Sequence, residues 1–215
     1  MSKSMKKLSV DEINSEMRNS AFRRSSYGVD VGFNRFLHNI EMYTHGLDRP
    51  ISKASYDEGV LVNNPDKLFD CVPAFQRDND KWTEDMQVKF VENILRGYKT
   101  TLMFFELTAN DKLPLRCEMK VLDGLQRLTA IHAFVTGKIK AFGWTYDEAM
   151  GDKRVHTSLL TIRIQAYTFE SEIEAVEFYI DMNENITHSS KDIDRAKKYL
   201  AKLKAEQVAL KPIRA

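Results

Sequence analysis

Between Met119 and Thr136 a short apolar run, Lys120-Val121-Leu122, meets Asp123-Gly124-Leu125-Gln126-Arg127 and passes into an apolar helical pattern, Leu128-Thr129-Ala130-Ile131-His132-Ala133-Phe134. An ionic cluster therefore sits at a strand-to-helix turn. The first turn of a helix presents unpaired N–H groups and a partial positive charge, which favours an anion. Arg127 stands where that dipole disfavours a cation unless something negative binds nearby, and a phosphate fits. The alternative is internal: Asp123 caps the helix, and Arg127 pairs with Asp123 or a neighbouring carboxylate.

A second cluster precedes the first. Val72-Pro73-Ala74-Phe75-Gln76-Arg77 is followed by Trp82-Thr83-Glu84-Asp85 and by apolar Met86, Phe90, Val91, Ile94 and Leu95, closed by Gly97. Thr83 suits an N-cap, Glu84 and Asp85 the first turn, and Gly97 the left-handed position after the last turn. In order, the chain carries P-x-F-Q-R, a Trp, an amphipathic helix ending in Gly, a hydrophobic strand, and D-G-x-Q-R opening a helix.

That ordered set resembles the ParB/sulfiredoxin-like superfamily, in particular the branch with a DGQQR motif found in the N-terminal domain of GmrSD-type modification-dependent restriction enzymes. The resemblance runs from about Val72 to Leu200 and takes in Phe178-Tyr179-Ile180-Asp181-Met182-Asn183, similar to a later helix ending in an Asn-containing turn. Leu125 departs from the pattern, standing where the family usually has Gln.

The resemblance implies binding and hydrolysis of a nucleoside triphosphate with a divalent cation, Mg²⁺ or Mn²⁺. It makes Asp123, Gln126 and Arg127 the catalytic candidates, with Asp123 also the metal ligand, and Gln76, Arg77, Gly124 and Asn183 the phosphate-binding ones. The residue chemistry agrees in kind: Gly124 lets backbone approach a phosphate, Arg127 clamps it, Asp123 holds a cation or orients water, and Gln126 positions a nucleophile or a phosphate oxygen. Phosphoryl transfer asks mainly for placement and charge neutralisation, so the lack of an activated nucleophile is no objection.

The 215 residues, 43% apolar, suffice for the core of one domain with a helical extension. Cys71 and Cys117 have no metal-site spacing and form no disulfide framework, which suits a reducing compartment. No apolar run approaches ~18 residues and no basic-then-apolar leader opens the chain, so the expectation is a soluble cytoplasmic protein without a membrane partner.

A net charge of +1 conceals an asymmetry: residues 1–25 hold six basic and three acidic side chains, residues 191–215 eight and three, and residues 26–190 eighteen and twenty-five. Lys197, Lys198, Lys202 and Lys204 are the candidate DNA contacts, with Lys191 and Arg195 alongside. The other reading of the same charges is a solvated helix face, since Ile193, Ala196, Tyr199, Leu200 and Leu203 form a packing stripe at helical spacing.

The punctuation predicts an α+β fold, a small mixed β-sheet flanked by helices with helical extensions at both ends. Its parts are a helical N-terminal extension over 1–48, a ParB/sulfiredoxin-like domain over 49–190, and a basic C-terminal helix over 191–215 packed on that domain. Ser9 with Glu12 predicts a capping box for a helix to about Phe22, and Phe33, Phe36, Leu37, Ile40 and Tyr43 a second helix ended by Gly46. Loops surround a short strand at Val60–Val62. Strands are expected near 102–107, 118–122 and 160–166, a polar loop at 109–115, and a helix to Met182 opened by Ser171 with Glu174.

The five histidines show no metal pattern; His132 reads as a packed residue, and His188 as part of a capping turn or a site lining. Trp82 and Phe75 suit either base stacking or the core. The resemblance also implies, in multidomain relatives, a separate nuclease domain with His-Asn-His chemistry, for which these residues leave no room. The expected function is an NTPase or DNA nickase of phage or prokaryotic DNA defence or counter-defence, with nucleotide, DNA and a separate nuclease or defence-complex subunit as partners. The alternative is a non-catalytic DNA- or protein-binding module that modulates such a partner.

Overall fold

β4 (Thr161–Phe169) is the spine of the sheet: its Ile162, Ile164 and Ala166 are buried on one face while Tyr167 and Phe169 pack on the other. The computed structural model describes residues 9–13, 26–44, 60–107, 119–184 and 190–209. β4 pairs antiparallel with β1 (Ser26–Gly32) and parallel with β2 (Thr101–Leu107), and β2 pairs antiparallel with β3 (Lys120–Asp123), giving the order β1-β4-β2-β3. The sheet is mixed, and the fold is α+β.

Helices cover both faces. On one lie α1 (Phe36–Thr44), the single turn α2 (Val60–Asn63), α3 (Glu84–Leu95), α4 (Leu125–Val135) and α5 (Tyr146–Gly151), burying Phe36, Ile40, Leu61, Val91, Ile94, Leu128, Ile131 and Phe134 with Leu102, Phe104 and Val121 of the sheet. On the other lie α6 (Glu172–Asn183) and α7 (Ser190–Ala209), where Val176, Tyr179, Ile180, Ile193 and Ala196 enclose Phe105, Leu122 and Phe169. Each fully buried aliphatic or aromatic side chain contributes about 1.5–3 kcal/mol.

The caps follow the sequence. The Thr83 hydroxyl accepts the Met86 N–H, Gly97 has φ +87° with its N–H on the Ile94 carbonyl, and the Ser171 hydroxyl accepts the Glu174 N–H. Ser9 and Glu12 form the reciprocal pair, at 2.7 and 3.2 Å; the rest of that helix, Gly46 and the 109–115 loop lie outside the described residues.

Two sequence expectations fail. Val60-Leu61-Val62 is helical, not a strand: its Leu61 N–H bonds the Glu41 carboxylate at 3.2 Å and its Leu61 side chain is fully buried, so tertiary packing overrides β-branched propensity. The N-terminal part is not wholly helical, because Ser26–Gly32 is an edge strand. Only Val31 of it is buried, which leaves too weak an alternation to read among its two glycines and Asp30.

Candidate functional site

β3 delivers Asp123 to a sharp turn at Gly124 (φ +98°), after which α4 begins at Leu125. The positive φ favours glycine here, and a Cβ at 124 would lie 2.9 Å from Leu102 Cδ2, the end of a side chain that would have to shift. The first intrahelical bond runs from the Leu128 N–H to the Gly124 carbonyl at 2.8 Å, and the amides of residues 125–127 precede it.

Arg127 turns toward the sheet. Its Nη1 donates to the Thr101 carbonyl at 2.7 Å and its Nη2 lies 3.7 Å from Asp123 Oδ2, both side chains being partly exposed. The helix dipole's penalty on this arginine is thus relieved by the protein's own carboxylate.

The two glutamines of the paired motifs bind the loop 73–82 to this turn. Gln76, 4% exposed, donates from Nε2 to the carbonyls of Val121 (3.1 Å) and Leu122 (2.9 Å). Gln126, 3% exposed, accepts the Trp82 N–H at 3.2 Å and donates to the Asp78 carbonyl at 3.4 Å. Asn79 adds a bond to the Thr129 hydroxyl. Phe75 of the same loop is fully buried against Tyr179, Tyr199 and Phe105 (ring centroids 5.2, 5.9 and 6.0 Å), a core residue, whereas Trp82 is half-buried and packs edge-on to Phe90.

A cleft of about 360 Å³ opens beside this junction, lined by Gln76, Arg77, Asp78, Asn79, Leu125 and Arg195 together with apolar residues of the loop. Arg77 makes no hydrogen bond or ion pair among the described residues. Arg195 comes from α7, donating to the Gln76 carbonyl (2.9 Å) and the Asp78 carboxylate (2.8 Å). A second hollow of about 460 Å³ runs along α3 over the apolar faces of Trp82, Met86 and Phe90.

The structure therefore divides the sequence-predicted residues. Gln76 and Arg77 line the cleft, whereas Asp123, Gly124, Gln126 and Arg127 surround the adjoining turn without lining it. Asn183 is buried at the end of α6, its amide donating to the Tyr179 carbonyl at 2.8 Å, and Asp181 is exposed. Lys197 pairs with Glu184, Lys204 with Glu177 (2.7 Å) and Lys202 with Glu206 (3.8 Å), while Lys198 is exposed. His188 lies outside the described residues. Sequence reasoning missed Asp78, Asn79 and Arg195 as cleft residues; a polar run after the motif arginine was the available signal for the first two, and none pointed to the third.

Among the described residues no three His, Cys, Asp or Glu side chains gather as a metal-binding group, and no helix is long and apolar enough to cross a membrane. Burial pushes the Cys71 thiol up to about 12, and its Sγ donates to the Leu68 carbonyl, so it is an inert core residue.

A mixed sheet sandwiched by helices, with two motif loops locked together beside a cationic cleft, defines an α+β domain built around one strand-to-helix turn. Residues 59–212 match the family described as the GmrSD restriction endonuclease, N-terminal domain, and the chain belongs to that family of restriction and defence systems. No curated protein and no solved structure matches the chain.

Proposed function

We propose that the cleft binds the phosphates of a nucleoside triphosphate, and that the domain serves phosphoester hydrolysis, of nucleotide or of DNA, in a restriction or counter-defence system. The observation that carries this reading is Arg77: a partly buried guanidinium with no partner among the described residues, on a cleft that reaches the first residue of α4. A planar fork of donors beside a helix N-terminus matches a phosphate in charge and geometry.

The fit to a divalent cation is poorer. Such ions take oxygen ligands, usually one or two carboxylates with the substrate's phosphates. Asp123, the carboxylate expected to hold one, faces Arg127 and lies off the cleft, and Asp78, the carboxylate in the cleft, is engaged by Arg195. The residues present do not fit a metal site.

The second reading, a non-catalytic module acting on a separate nuclease or defence subunit, draws on a different observation. Asp123, Gln126 and Arg127 are all bonded to the protein itself. Turnover of the four triphosphates and nicking of supercoiled plasmid, each with Mg²⁺ and Mn²⁺, separate the two. Hydrolysis supports the enzyme, and binding without hydrolysis supports the module. Absence of any nucleotide binding by calorimetry overturns the cleft assignment.

A further inference from the structure

Arg195 leaves α7 and spans to the first motif, its Nη1 on the Gln76 carbonyl at 2.9 Å and its Nη2 on Asp78 Oδ1 at 2.8 Å. Ile193 and Ala196 on the same helix are buried in the core, so the stem of this arginine is anchored while its head reaches the cleft. Arg77 lines the same cleft from the loop. Two arginines from elements far apart in sequence thus line one small space, which also holds one carboxylate, Asp78, paired with Arg195.

A carboxylate is the wrong charge to keep beside an anion's site unless it leaves when the anion arrives. Asp78 is placed to do so: its side chain is 62% exposed and that of Arg195 44%, and a pair so accessible to water is held weakly. A polyphosphate offers several oxygens and more charge than one carboxylate, and an arginine fork prefers it.

We infer that Arg195 is a second phosphate-binding residue of the cleft and that Asp78 is its counter-ion in the empty state, displaced from Nη2 by a polyphosphate while Nη1 keeps its bond to the Gln76 carbonyl. The inference rests on the reading of the cleft as an anion site and adds to it the last helix: ligand binding and α7 share a side chain. No covalent change is involved; one ion pair is exchanged for another, and Asp78 returns to water.

The test uses inorganic tripolyphosphate in EDTA, so that any affinity of Asp78 for a metal plays no part, with calorimetry on wild type, Arg77→Ala, Asp78→Asn, Arg195→Gln and the double variant Asp78→Asn/Arg195→Gln. Arg195→Gln removes the charge while keeping a polar, hydrogen-bonding side chain, and melting temperatures check that each variant is folded. The expected result is binding about tenfold tighter in Asp78→Asn and about tenfold weaker in Arg195→Gln, with the gain from Asp78→Asn abolished in the double variant. An equal gain with and without Arg195 means a general charge effect and overturns the exchange. So does a loss of melting temperature in Asp78→Asn with unchanged affinity, which makes the pair a structural brace. Binding lost in Arg77→Ala but unchanged in Arg195→Gln overturns this inference and leaves the cleft standing; no binding by wild type removes both.

Discussion

Gln76 and Gln126 hold one loop to one turn from opposite sides: the first sends its amide from the loop to the β3 carbonyls, and the second sends its amide from α4 back to the loop backbone. Each satisfies backbone groups of the other's segment. A glutamine carries both a donor and an acceptor on a flexible stem, and a buried junction between two irregular segments needs both. The pairing of P-x-F-Q-R with D-G-x-Q-R is thus a structural requirement of this fold before it is a chemical one.

The glutamines should therefore register first in stability. Gln76→Ala leaves the Val121 and Leu122 carbonyls without its amide and is expected to cost about 2–3 kcal/mol, read as a lower urea midpoint with an unchanged slope. Gln126→Glu sets a carboxylate against the Asp78 carbonyl and is expected to destabilise comparably. A variant as stable as wild type that has lost nucleotide binding would instead show that the amide works on the ligand.

The two motif arginines should behave differently. Arg77→Ala is expected to weaken triphosphate binding by about 1.5–3 kcal/mol, the scale of charge-assisted hydrogen bonds, with the melting temperature unchanged. Arg127→Ala takes a donor from the Thr101 carbonyl and the partner from Asp123, so its principal effect should be on stability. Calorimetry and thermal melts on both variants decide the matter. A stable Arg127→Ala protein with impaired binding moves the phosphate to the Asp123 side of the turn.

For the basic helix, DNA contact by a lysine lowers the log–log salt slope of binding by about 0.9 when that lysine is lost. Lys197, Lys202 and Lys204 are paired with Glu184, Glu206 and Glu177, which leaves Lys198 as the cation of the four most available to a phosphate. The other three pairs are exposed and weak, so if the helix binds DNA the fourfold Gln variant is expected to lower the slope by about 0.9 for each lysine in contact, and by more than Lys198→Gln alone. An unchanged slope in the fourfold variant would leave these lysines as a solvated helix face.

The parts of this architecture legible in the sequence were those with a local cause. Thr83, Gly97 and Ser171 announced helix ends because a cap bond or a left-handed residue acts within one turn, and Ile162, Ile164 and Ala166 announced β4 because half-burial imposes alternation. β1 was hidden because an edge strand with one buried residue has little alternation to impose, and α2 because its helical turn is stabilised by Glu41 and by core packing rather than by its own residues. The motif residues were found as a set, but which face of the turn each serves was not readable. Gln126 and Arg127 are neighbours in sequence, yet one reaches the loop and the other the sheet. Arg195 was visible only as one charge among eight, since nothing near it in sequence records that Asp78 lies opposite.

His132 gives the fold a pH limit. It is buried on α4, edge-on to Phe69 at 4.8 Å, with Nε2 at 3.3 Å from Asp66 Oδ1, and Lys138 shares the same carboxylate at 3.5 Å. Burial first, and then the charge of Lys138, hold its pKa below the ordinary 6.5 against the opposing pull of Asp66. With the folded value depressed, the unfolded chain takes up the proton more readily, so this stability is fully present above the unfolded value and is lost as pH falls toward and through the folded one. Urea midpoints are therefore expected to be level above about pH 7 and to decline below about pH 6.5, ahead of the carboxylates. His132→Leu should flatten that decline. Asp66→Asn, by removing the one charge that favours the protonated ring, should deepen it. A decline unchanged in both variants would assign the acid limb to other groups, of which the half-buried His38, also held below 6.5 chiefly by desolvation, is the first to test.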